Sequence, residues 1–569
     1  MSKKNKELLF LLIILAIAAF FRLWQLDKIP GGLFPDEAAN GLDILLIFQG
    51  HHSPFFERGL GREALFFYLQ AASVALFGIG VWQMHLVSAL IGIATVIATW
   101  FLAKKLFNAR VAFLASFFMA TSTWHTTLSR TGFRAILVPL MATLFFYFAT
   151  RAVAKGEDED LSSSTHLTFK EISGRKRKLF AVLAGVCLGL GFYTYISFRA
   201  MVAIVGLLAA IISITNRGVF KKFWREIVIG LFAMALVLVP LTAYFVGHPG
   251  SFVGRAGYVS VFNADQNKGD LFGTFLDVSK KTFLMFFTEG DLNWRHNVSG
   301  FSMLNPFISP LFALGFLYSV WVIFRRLIKF KGFQEKSSDD YFQDPSKAKA
   351  KRTSFSSSPS LRSVGKEETC LFAYLFLVIW FLGMLGPELL SAQAIPHGLR
   401  AIGAMPAMFF FPAIMIDVFW KKITFNFNKK VIFGAILGLI LGAILLYDCY
   451  LYFGISANSP DFYYAYRSDL TVVSSYLNER SQKEKTYLVL DEYSVQTPEF
   501  LTAKNNQPYI LVNPEKSYQT ELRTGDQIIF TQSTIFDAKK FKEYHPEAKV
   551  VKQNYNQFKQ EILRVVEED

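Results

Sequence analysis

Long apolar runs separated by short polar segments fill most of the first 450 residues of the chain. A helix that crosses a membrane needs roughly 20 mostly apolar residues. Eleven runs approach that length once their flanking residues are included, and we predict that each one crosses a membrane. The runs are residues 8–24, 86–103, 111–128, 135–150, 179–195, 200–214, 227–246, 307–324, 371–385, 402–420 and 431–447.

A further apolar run, residues 64–79, is predicted to lie along the membrane surface as an in-plane amphipathic helix. With this run in the plane, the basic segments between the crossings fall on the same side as the lysines of residues 3–6. If residues 64–79 crossed the membrane, these basic segments would lie on the side opposite the amino-terminal lysines. Cytoplasmic loops collect Lys and Arg. We therefore predict a cytoplasmic amino terminus and long external loops at residues 25–85 and 247–305.

The pattern changes near residue 454, where short apolar stretches begin to alternate with polar turns. This change predicts two domains. Residues 1–454 form an α-helical polytopic membrane domain of about 11 transmembrane helices, with a cytoplasmic linker at residues 325–370. Residues 455–569 form a small α/β domain on the extracytoplasmic side. Its predicted helices are residues 470–479 and 538–544, and its predicted strands are residues 486–490, 508–512 and 527–530, with two more near Val550 and Leu563.

Composition agrees with a multi-pass protein of the cell membrane, because 52% of the 569 residues are hydrophobic and only 18% are charged. The net charge of +15 lies mostly in the short segments between apolar runs, where it sets topology, so we predict no nucleic-acid partner. The three cysteines show no disulfide framework and no metal-binding spacing.

Two adjacent acids, Asp36 and Glu37, follow the first apolar run in the segment GLFPDEAANG. Carboxylates at the mouth of a membrane are functional candidates. Pro35 followed by two acids is also typical of the first turn of a helix, whose positive end favours negative charge. The two interpretations are compatible, because a helix start also holds a carboxylate in place.

Arginines and polar residues gather in the predicted external loops. Arginine gives planar, bidentate recognition of phosphate, so several arginines at one membrane face indicate an anionic ligand. For Arg22 and Arg199 we favour a snorkelling or headgroup role. The residues predicted to bind the donor phosphate or substrate are Arg62, Glu63, Arg130, Arg134, Asp291, Asn293, Arg295, His296, Asn297, His397 and Arg400.

The two histidines in this set could also bind a metal, but neither His296 nor His397 has a second histidine at helical spacing. A hydrogen bond to a phosphate or a sugar is the preferred interpretation. No cofactor is therefore predicted, and a divalent metal is possible but not favoured.

A carboxylate pair beside fixed cations suits displacement of a lipid-phosphate leaving group by a hydroxyl. The carboxylate accepts the hydroxyl proton as general base, and the cations stabilise the negative charge that develops on the phosphate. Direct attack of this kind inverts the anomeric centre.

Several segments resemble the GT-C superfamily of membrane glycosyltransferases, and within it the bacterial relatives of protein O-mannosyltransferases and lipid A aminoarabinose transferases. The resemblance covers most of residues 1–450. It depends on PDEAANG (35–41), GREALFFYLQA (61–71), SRTGFRA (129–135), GDLNWRHN (290–297) and HGLRAIGAMPA (397–407).

The resemblance implies in-plane helices in the first external loop, which itself holds the catalytic acid. It also implies a polyprenyl-phosphate sugar as donor, and transfer on the extracytoplasmic face. By position, Asp36 is the implied base and Glu37 the second choice. Relatives commonly carry another acid in the second external loop, where this chain has SRTGFRA, and this departure argues against a metal and for a basic phosphate clamp.

The predicted function is therefore an inverting membrane glycosyltransferase for a hexosyl or pentosyl group. Its predicted partners are the polyprenyl-phosphate donor, membrane lipids and an acceptor that is a protein, lipid or glycan. A transporter or flippase of lipid-linked sugars is one alternative, although transporters usually carry internal repeats with broken helices. A non-catalytic envelope assembly protein is the other.

Overall fold

The structure is a computed structural model, which describes residues 2–154, 173–215, 217–343, 361–423, 427–480, 485–505 and 508–568. The centre of the predicted linker 325–370 lies outside these residues. The ends of that linker are helical, because the helix Ser309–Gln343 runs into it and the helix Leu361–Leu389 begins within it.

Helices dominate the membrane domain. In chain order they are α1 (Lys3–Leu23), α2 (Pro35–Phe48), α3 (Leu65–Phe77), α4 (Val81–Leu106), α5 (Ala109–Thr121), α6 (Thr123–Ser129), α7 (Leu137–Ala152), α8 (Gly174–Gly191), α9 (Ala200–Thr215), α10 (Arg217–Gly247), α11 (Pro249–Val259), α12 (Ala264–Asn267), α13 (Leu271–Leu284), α14 (Ser309–Gln343), α15 (Leu361–Leu389), α16 (Gly398–Ala401), α17 (Met405–Ile423) and α18 (Phe427–Cys449).

Each of the eleven predicted crossings coincides with helical structure. Within the described part of the chain, seven helices are long and apolar enough to cross a membrane by length and composition. Large aromatic side chains pack between them, and Trp380, Phe146 and Phe376 meet at centroid distances of 4.6 to 5.6 Å. The predicted α-helical polytopic architecture is confirmed, while the count of eleven crossings stays a prediction.

The third predicted crossing, residues 111–128, is two helices instead of one. Helix α5 ends at Thr121 and α6 begins at Thr123, and between them Ser122 leaves helical geometry at φ −46° and ψ 121°. The Ser122 hydroxyl accepts the backbone N–H of His125 at 3.3 Å and so caps α6. Serine competes with the helical backbone in this way, which is why it often starts a new helix.

The apolar run 64–79 contains the short helix α3, which has 13 residues. At 1.5 Å per residue it spans about 20 Å, which is shorter than the roughly 30 Å hydrocarbon core of a bilayer. Its length therefore suits the predicted in-plane helix better than a crossing. Its depth in the membrane stays a prediction.

The carboxyl-terminal part folds around a five-stranded sheet in the order β4-β3-β5-β7-β6. The strands are β3 (Thr486–Val489), β4 (Ile510–Val512), β5 (Gln527–Thr531), β6 (Lys549–Tyr555) and β7 (Glu561–Glu567), while β1 (Phe55–Phe56) and β2 (Arg62–Glu63) form a small hairpin in the first loop. The helices are α19 (Pro460–Ala465), α20 (Ser468–Glu479), α21 (Gln496–Thr502) and α22 (Ile535–Tyr544).

Strand alternation explains the layers of this domain. Leu488 and Ile529 face the α20 side, whereas their neighbours Val489 and Ile528 face the α22 side. The sheet is therefore buried on both faces, and the predicted small C-terminal α/β domain is confirmed. The sequence pattern did not predict α21, which packs against the membrane domain.

Candidate active site

The acids of the first external loop stand in the first turn of α2. This helix begins at Pro35, and the Glu37 carboxylate turns back to accept the backbone N–H of Phe34 at 2.9 Å. The helix-start interpretation of Asp36 and Glu37 is therefore correct. The neighbouring positions nevertheless point their side chains into different surroundings, because successive residues on a helix are about 100° apart.

Glu37 is fully buried and serves as an acceptor for three separate segments. Besides Phe34, it accepts the His85 Nε2–H at 3.2 Å and the backbone N–H of Gly132 in the SRTGFRA segment. A carboxylate held by several donors stays fixed in position. Glu37 therefore joins the first external loop to the second.

Asp36 is exposed, in contrast to its neighbour. Its carboxylate lies close enough to the Tyr493 hydroxyl, which comes from the carboxyl-terminal domain, to raise the pKa of that phenol. The same carboxylate interacts electrostatically with Arg62. Arg62 also donates to the backbone carbonyl of Asp36 at 3.4 Å. Asp36 is thus an accessible acid with a basic neighbour.

Arg62 is buried among the polar side chains of α2. It pairs with Asp43 at 3.1 Å and donates to the Asn40 side-chain oxygen at 2.7 Å. Asn40 in turn donates to the carbonyl of Gly132 at 3.0 Å. Burial lowers the pKa of Arg62 to about 10, although Asp43 acts in the opposite direction. Arg62 therefore combines a structural pairing with proximity to Asp36.

The predicted residues Glu63, Arg130 and Arg134 also hold the loops together. Glu63 and Arg134 form a buried ion pair at 3.2 Å, and the Arg134 guanidinium lies over the Tyr195 ring at 5.2 Å. Arg130 is fully buried, and its guanidinium donates to four backbone carbonyls at the end of α1 and just beyond it. Those carbonyls include groups that a helix end leaves without a partner.

The snorkelling interpretation of Arg22 is wrong. Its side chain is fully buried and donates to the carbonyls of Met119 and Ala120, which close α5. A buried guanidinium with such partners satisfies the broken helical backbone next to Ser122. Arg199 is partly exposed and donates to the carbonyl of Phe252, above whose ring it lies at 4.2 Å.

The fourth and fifth external loops meet at Asp291. Its carboxylate accepts the backbone N–H of Gly398 at 2.7 Å and the Nδ1–H of His296 at 2.7 Å. Burial alone would raise the pKa of Asp291, but His296, His397 and the Gly398 N–H together hold that pKa below its ordinary value. The predicted His296 and His397 are in fact neighbours, with ring centroids 4.6 Å apart.

Three of these residues could hold a metal ion. In the described part of the chain, possible ligand atoms of Asp291, His296 and His397 lie within 4.8 Å of one another. One carboxylate and two imidazoles are a donor set that suits zinc. The sequence could not show this set, because His397 lies 101 positions after His296 and the two meet only in the folded chain.

Arg295 is the partly exposed arginine of the fourth loop. The Asn293 side-chain oxygen accepts its backbone N–H at 3.0 Å and its Nε–H at 3.3 Å. Its guanidinium lies 3.5 Å from the centroid of the Phe34 ring, directly before α2. Arg295 of the fourth loop therefore contacts Phe34, which lies directly before the loop-one acids.

Arg400 and Asn297 are buried at the edge of this arrangement. Arg400 donates to the carbonyl of Gln393 at 2.6 Å and lies 3.9 Å from Glu388. The Glu388 carboxylate also accepts the backbone N–H of His397 at 2.7 Å. Asn297 donates to the carbonyl of Phe301 at 2.8 Å. These contacts shape the loops around Asp291.

Sequence reasoning missed His85, Glu388 and Tyr493. The only available signal was for Glu388, an acid at the end of the apolar run 371–385, where charged groups are unusual. His85 lies in the second turn of α4 and Tyr493 lies in an ordinary polar turn of the carboxyl-terminal domain, so nothing local marked either residue.

Two solved structures resemble the whole chain. ArnT from Cupriavidus metallidurans in the apo state has a TM-score of 0.50 and 12% identity, with 99% of this chain and 98% of that chain covered. The Archaeoglobus fulgidus oligosaccharyltransferase tethered to an acceptor peptide also has a TM-score of 0.50 and 12% identity, with 98% and 74% covered. The chain is therefore a multi-pass membrane protein with the fold of GT-C glycosyltransferases, as its motifs predicted.

Sequence comparison gives a narrower relationship. Residues 64–242 match the family described as dolichyl-phosphate-mannose-protein mannosyltransferase. A Bacillus subtilis protein described as "Putative mannosyltransferase YkcB" is 27% identical over 168 residues. That alignment covers 28% of this chain and 22% of the relative, so the relative is matched over less than a quarter of its length.

Proposed function

We propose that the chain is an inverting membrane glycosyltransferase that transfers a sugar from a polyprenyl-phosphate donor to an acceptor hydroxyl on the extracytoplasmic face. The match to a dolichyl-phosphate-mannose-protein mannosyltransferase family supports a lipid-phosphate sugar as donor. The observation that carries the proposal is the exposed Asp36 carboxylate, which interacts with Arg62 and lies two residues after Phe34, whose ring Arg295 contacts. The acceptor hydroxyl belongs to a protein, a lipid or a glycan.

Asp36 serves as the general base. It accepts the proton of the acceptor hydroxyl while the hydroxyl oxygen attacks the anomeric carbon. The bond between that carbon and the phosphate oxygen breaks, and the lipid phosphate leaves with the bonding electrons. A single displacement inverts the anomeric centre. A positioned general base contributes about 10²- to 10⁴-fold to such a rate.

Arg295 is the proposed principal partner of the leaving phosphate. It is partly exposed, its guanidinium is oriented by Asn293 and Phe34, and guanidinium groups bind phosphate through two parallel N–H donors. Arg62, Arg134 and Arg400 add positive potential from buried positions. Arg130 and Glu37 are assigned supporting roles, because their hydrogen bonds go to backbone groups and neighbouring loops.

The proposal includes no metal-dependent step. Asp291, His296 and His397 would hold an ion if one binds, and there it would join the fourth and fifth loops and supply positive charge. The hydrogen bond from the Gly398 N–H to Asp291 already joins these loops. Transfer is therefore expected to continue after treatment with a chelator.

The test uses the purified chain in nanodiscs with polyprenyl-phosphate mannose that carries a radiolabelled sugar, and native envelope extract as acceptor. Asp36→Asn should lower the transfer rate by about 100-fold or more, because the amide cannot accept the proton. Binding of the donor should persist, since the phosphate contacts remain. Asp27→Asn is the matched control, because Asp27 is an exposed acid of the same external loop.

An Asp36→Asn variant that transfers sugar at the unaltered rate would contradict the base assignment. Movement of the labelled donor across the bilayer without formation of a glycosylated product would instead indicate a flippase.

A further inference from the structure

The carboxyl-terminal domain docks directly onto the segment that carries Asp36. The Thr497 hydroxyl donates to the carbonyl of Leu33 at 2.9 Å, and the Ser468 hydroxyl donates to the carbonyl of Pro30 at 3.1 Å. Both side chains are buried. The first residues of α20 and α21 therefore hold the backbone just before α2, although the bonded residues are more than 430 positions apart in the chain.

Two glycines of the first loop make this close approach possible. A Cβ atom on Gly32 would lie 2.3 Å from the carbonyl oxygen of Tyr466 and 2.7 Å from the backbone nitrogen of Ser468. A Cβ atom on Gly41 would lie 2.6 Å from the Phe500 ring, which is fully buried. The domain thus packs on both ends of the segment 32–41, with Asp36 between them.

Tyr493 reaches from this docked surface to the Asp36 carboxylate. Its ring meets the edge of Phe34 at a centroid distance of 5.9 Å, and its hydroxyl lies close enough to the Asp36 carboxylate for the two groups to interact. Arg295 contacts the same Phe34 ring. Tyr493 is 46% exposed, so it borders the space that Asp36 faces instead of filling a core.

The turn that carries Tyr493 is itself fixed. The Asp491 carboxylate accepts the backbone N–H groups of Tyr493 at 3.0 Å and Ser494 at 2.8 Å. Arg467 donates to the Ser494 hydroxyl at 2.8 Å. A polar turn held by three hydrogen bonds presents the tyrosine in one orientation, which is what positioning of a carboxylate needs.

The Tyr493 hydroxyl is suited to act as a neutral donor. Partial burial raises the pKa of Tyr493, and the nearby Asp36 carboxylate raises that pKa further. The phenol therefore keeps its proton at neutral pH. A phenol has a single O–H, so a hydrogen bond to Asp36 would also fix the direction of that carboxylate.

We propose that Tyr493 is a positioning residue for Asp36, and that the carboxyl-terminal domain is one wall of the active site. The inference rests on the proposed function, since it gives a role to a residue beside the proposed base. The Tyr493 hydroxyl donates a hydrogen bond to the Asp36 carboxylate and orients it toward the acceptor hydroxyl. The domain therefore contributes to the chemical step in addition to any contact with the acceptor.

The test compares Tyr493→Phe with the parent chain in nanodiscs, with polyprenyl-phosphate mannose as donor. Loss of one hydrogen bond to a charged group should lower kcat about tenfold, while the KM for the donor stays within about twofold. Tyr544→Phe is the matched control, since Tyr544 is 60% exposed and its ring packs on Tyr518.

A second comparison separates this inference from the proposed function. In the Asp36→Asn background, Tyr493→Phe should cause no further loss of rate, because the carboxylate it orients is already gone. A Tyr493→Phe variant with unchanged kcat would overturn the positioning role while leaving the base assignment to the Asp36→Asn result. Full transfer by Asp36→Asn would overturn the proposed function itself.

Discussion

The first predicted external loop meets the second through buried charges, whereas it meets the carboxyl-terminal domain through hydroxyl–carbonyl hydrogen bonds and the rings of Phe500 and Tyr493. At the loop junction, Glu37 binds the Gly132 N–H, and Glu63 pairs with Arg134. At the domain junction, hydroxyls of Thr497 and Ser468 donate to backbone carbonyls. Asp36 lies between the two junctions.

The two junctions are expected to affect different properties, because a buried ionic contact and a neutral hydrogen bond differ in free energy. Removal of one partner from a buried ionic contact costs about 3–5 kcal/mol, because the other charge stays buried without compensation. A neutral hydrogen bond contributes only about 0.5–1.5 kcal/mol. We therefore expect the loop junction to hold the fold and the domain junction to adjust the geometry around Asp36. Three predictions test this division, beginning with the largest effect.

Glu37→Ala should be the most destabilising change. It removes the acceptor of three donors from three segments, and we expect a loss of about 4 kcal/mol in the free energy of unfolding. Thermal unfolding of the purified protein in detergent measures the effect as a lower apparent Tm. Asp36→Ala is the matched control, because this neighbouring acid is exposed. Equal changes in Tm for the two variants would contradict the division.

Gly32→Ala should disturb the domain junction. The added Cβ atom would meet backbone atoms of Tyr466 and Ser468, so the domain must shift away from α2. A loss of about 1–3 kcal/mol is expected, together with a transfer rate that falls as Tyr493 moves from Asp36. Gly254→Ala is the control, since nothing lies within 4 Å of its added Cβ atom. Unchanged transfer by Gly32→Ala would show that the docking does not affect the reaction.

Lowering the pH should reduce the stability of the turn that carries Tyr493, and this is the smallest expected effect. Partial burial alone would raise the pKa of Asp491, but hydrogen bonds from Ser494, the charge of Arg467 and the Tyr493 N–H hold that pKa below its ordinary value. The ionised carboxylate therefore stabilises the fold above its unfolded pKa of about 3.9, and this contribution is lost as pH falls further.

The measurement compares the Tm of the parent chain with that of Asp491→Asn between pH 6 and pH 3. The difference in Tm should be constant down to about pH 4 and should shrink below it. A difference that does not change across this range would mean that the Asp491 carboxylate does not stabilise the turn.

Helices were the most predictable feature of this chain. Inside a membrane no water is available to pair with backbone N–H and C=O groups, so an apolar run of sufficient length must satisfy them within a helix. This is why residues 86–103 and 227–246 coincide with α4 and α10. The break at Ser122 was not predicted, because it depends on Arg22 reaching the carbonyls of Met119 and Ala120 from another helix.

The carboxyl-terminal strands were also predictable, since alternation of apolar and polar positions reflects a sheet between two layers. Helix α21 was not, because QTPEFLT is short, contains a proline and has one large aromatic residue. That residue, Phe500, packs against Gly41 of the membrane domain. A short helix that packs on another domain through one aromatic residue shows little hydrophobic periodicity in its own sequence.

Among the candidate site residues, the sequence marked the chemical types but not their partners. Arg130 and Arg295 both lie in predicted external loops, yet Arg130 is buried against the carbonyls that follow α1 and Arg295 is partly exposed beside Phe34. Asp36 and Glu37 are adjacent, yet one is exposed and the other is buried. The spacing of residues along the sequence does not show which member of such a pair is buried.

The sequence by itself determined the apolar helices, the α/β domain and the polar loops that carry the acids and arginines, because these depend on local hydrophobicity and on the distribution of charge along the chain. Only the tertiary structure decided which charged side chains hold the loops together, which acid is accessible and that the carboxyl-terminal domain places Tyr493 beside it. The physical reason is that hydrogen bonds and burial depend on contacts between residues hundreds of positions apart, such as Leu33 and Thr497.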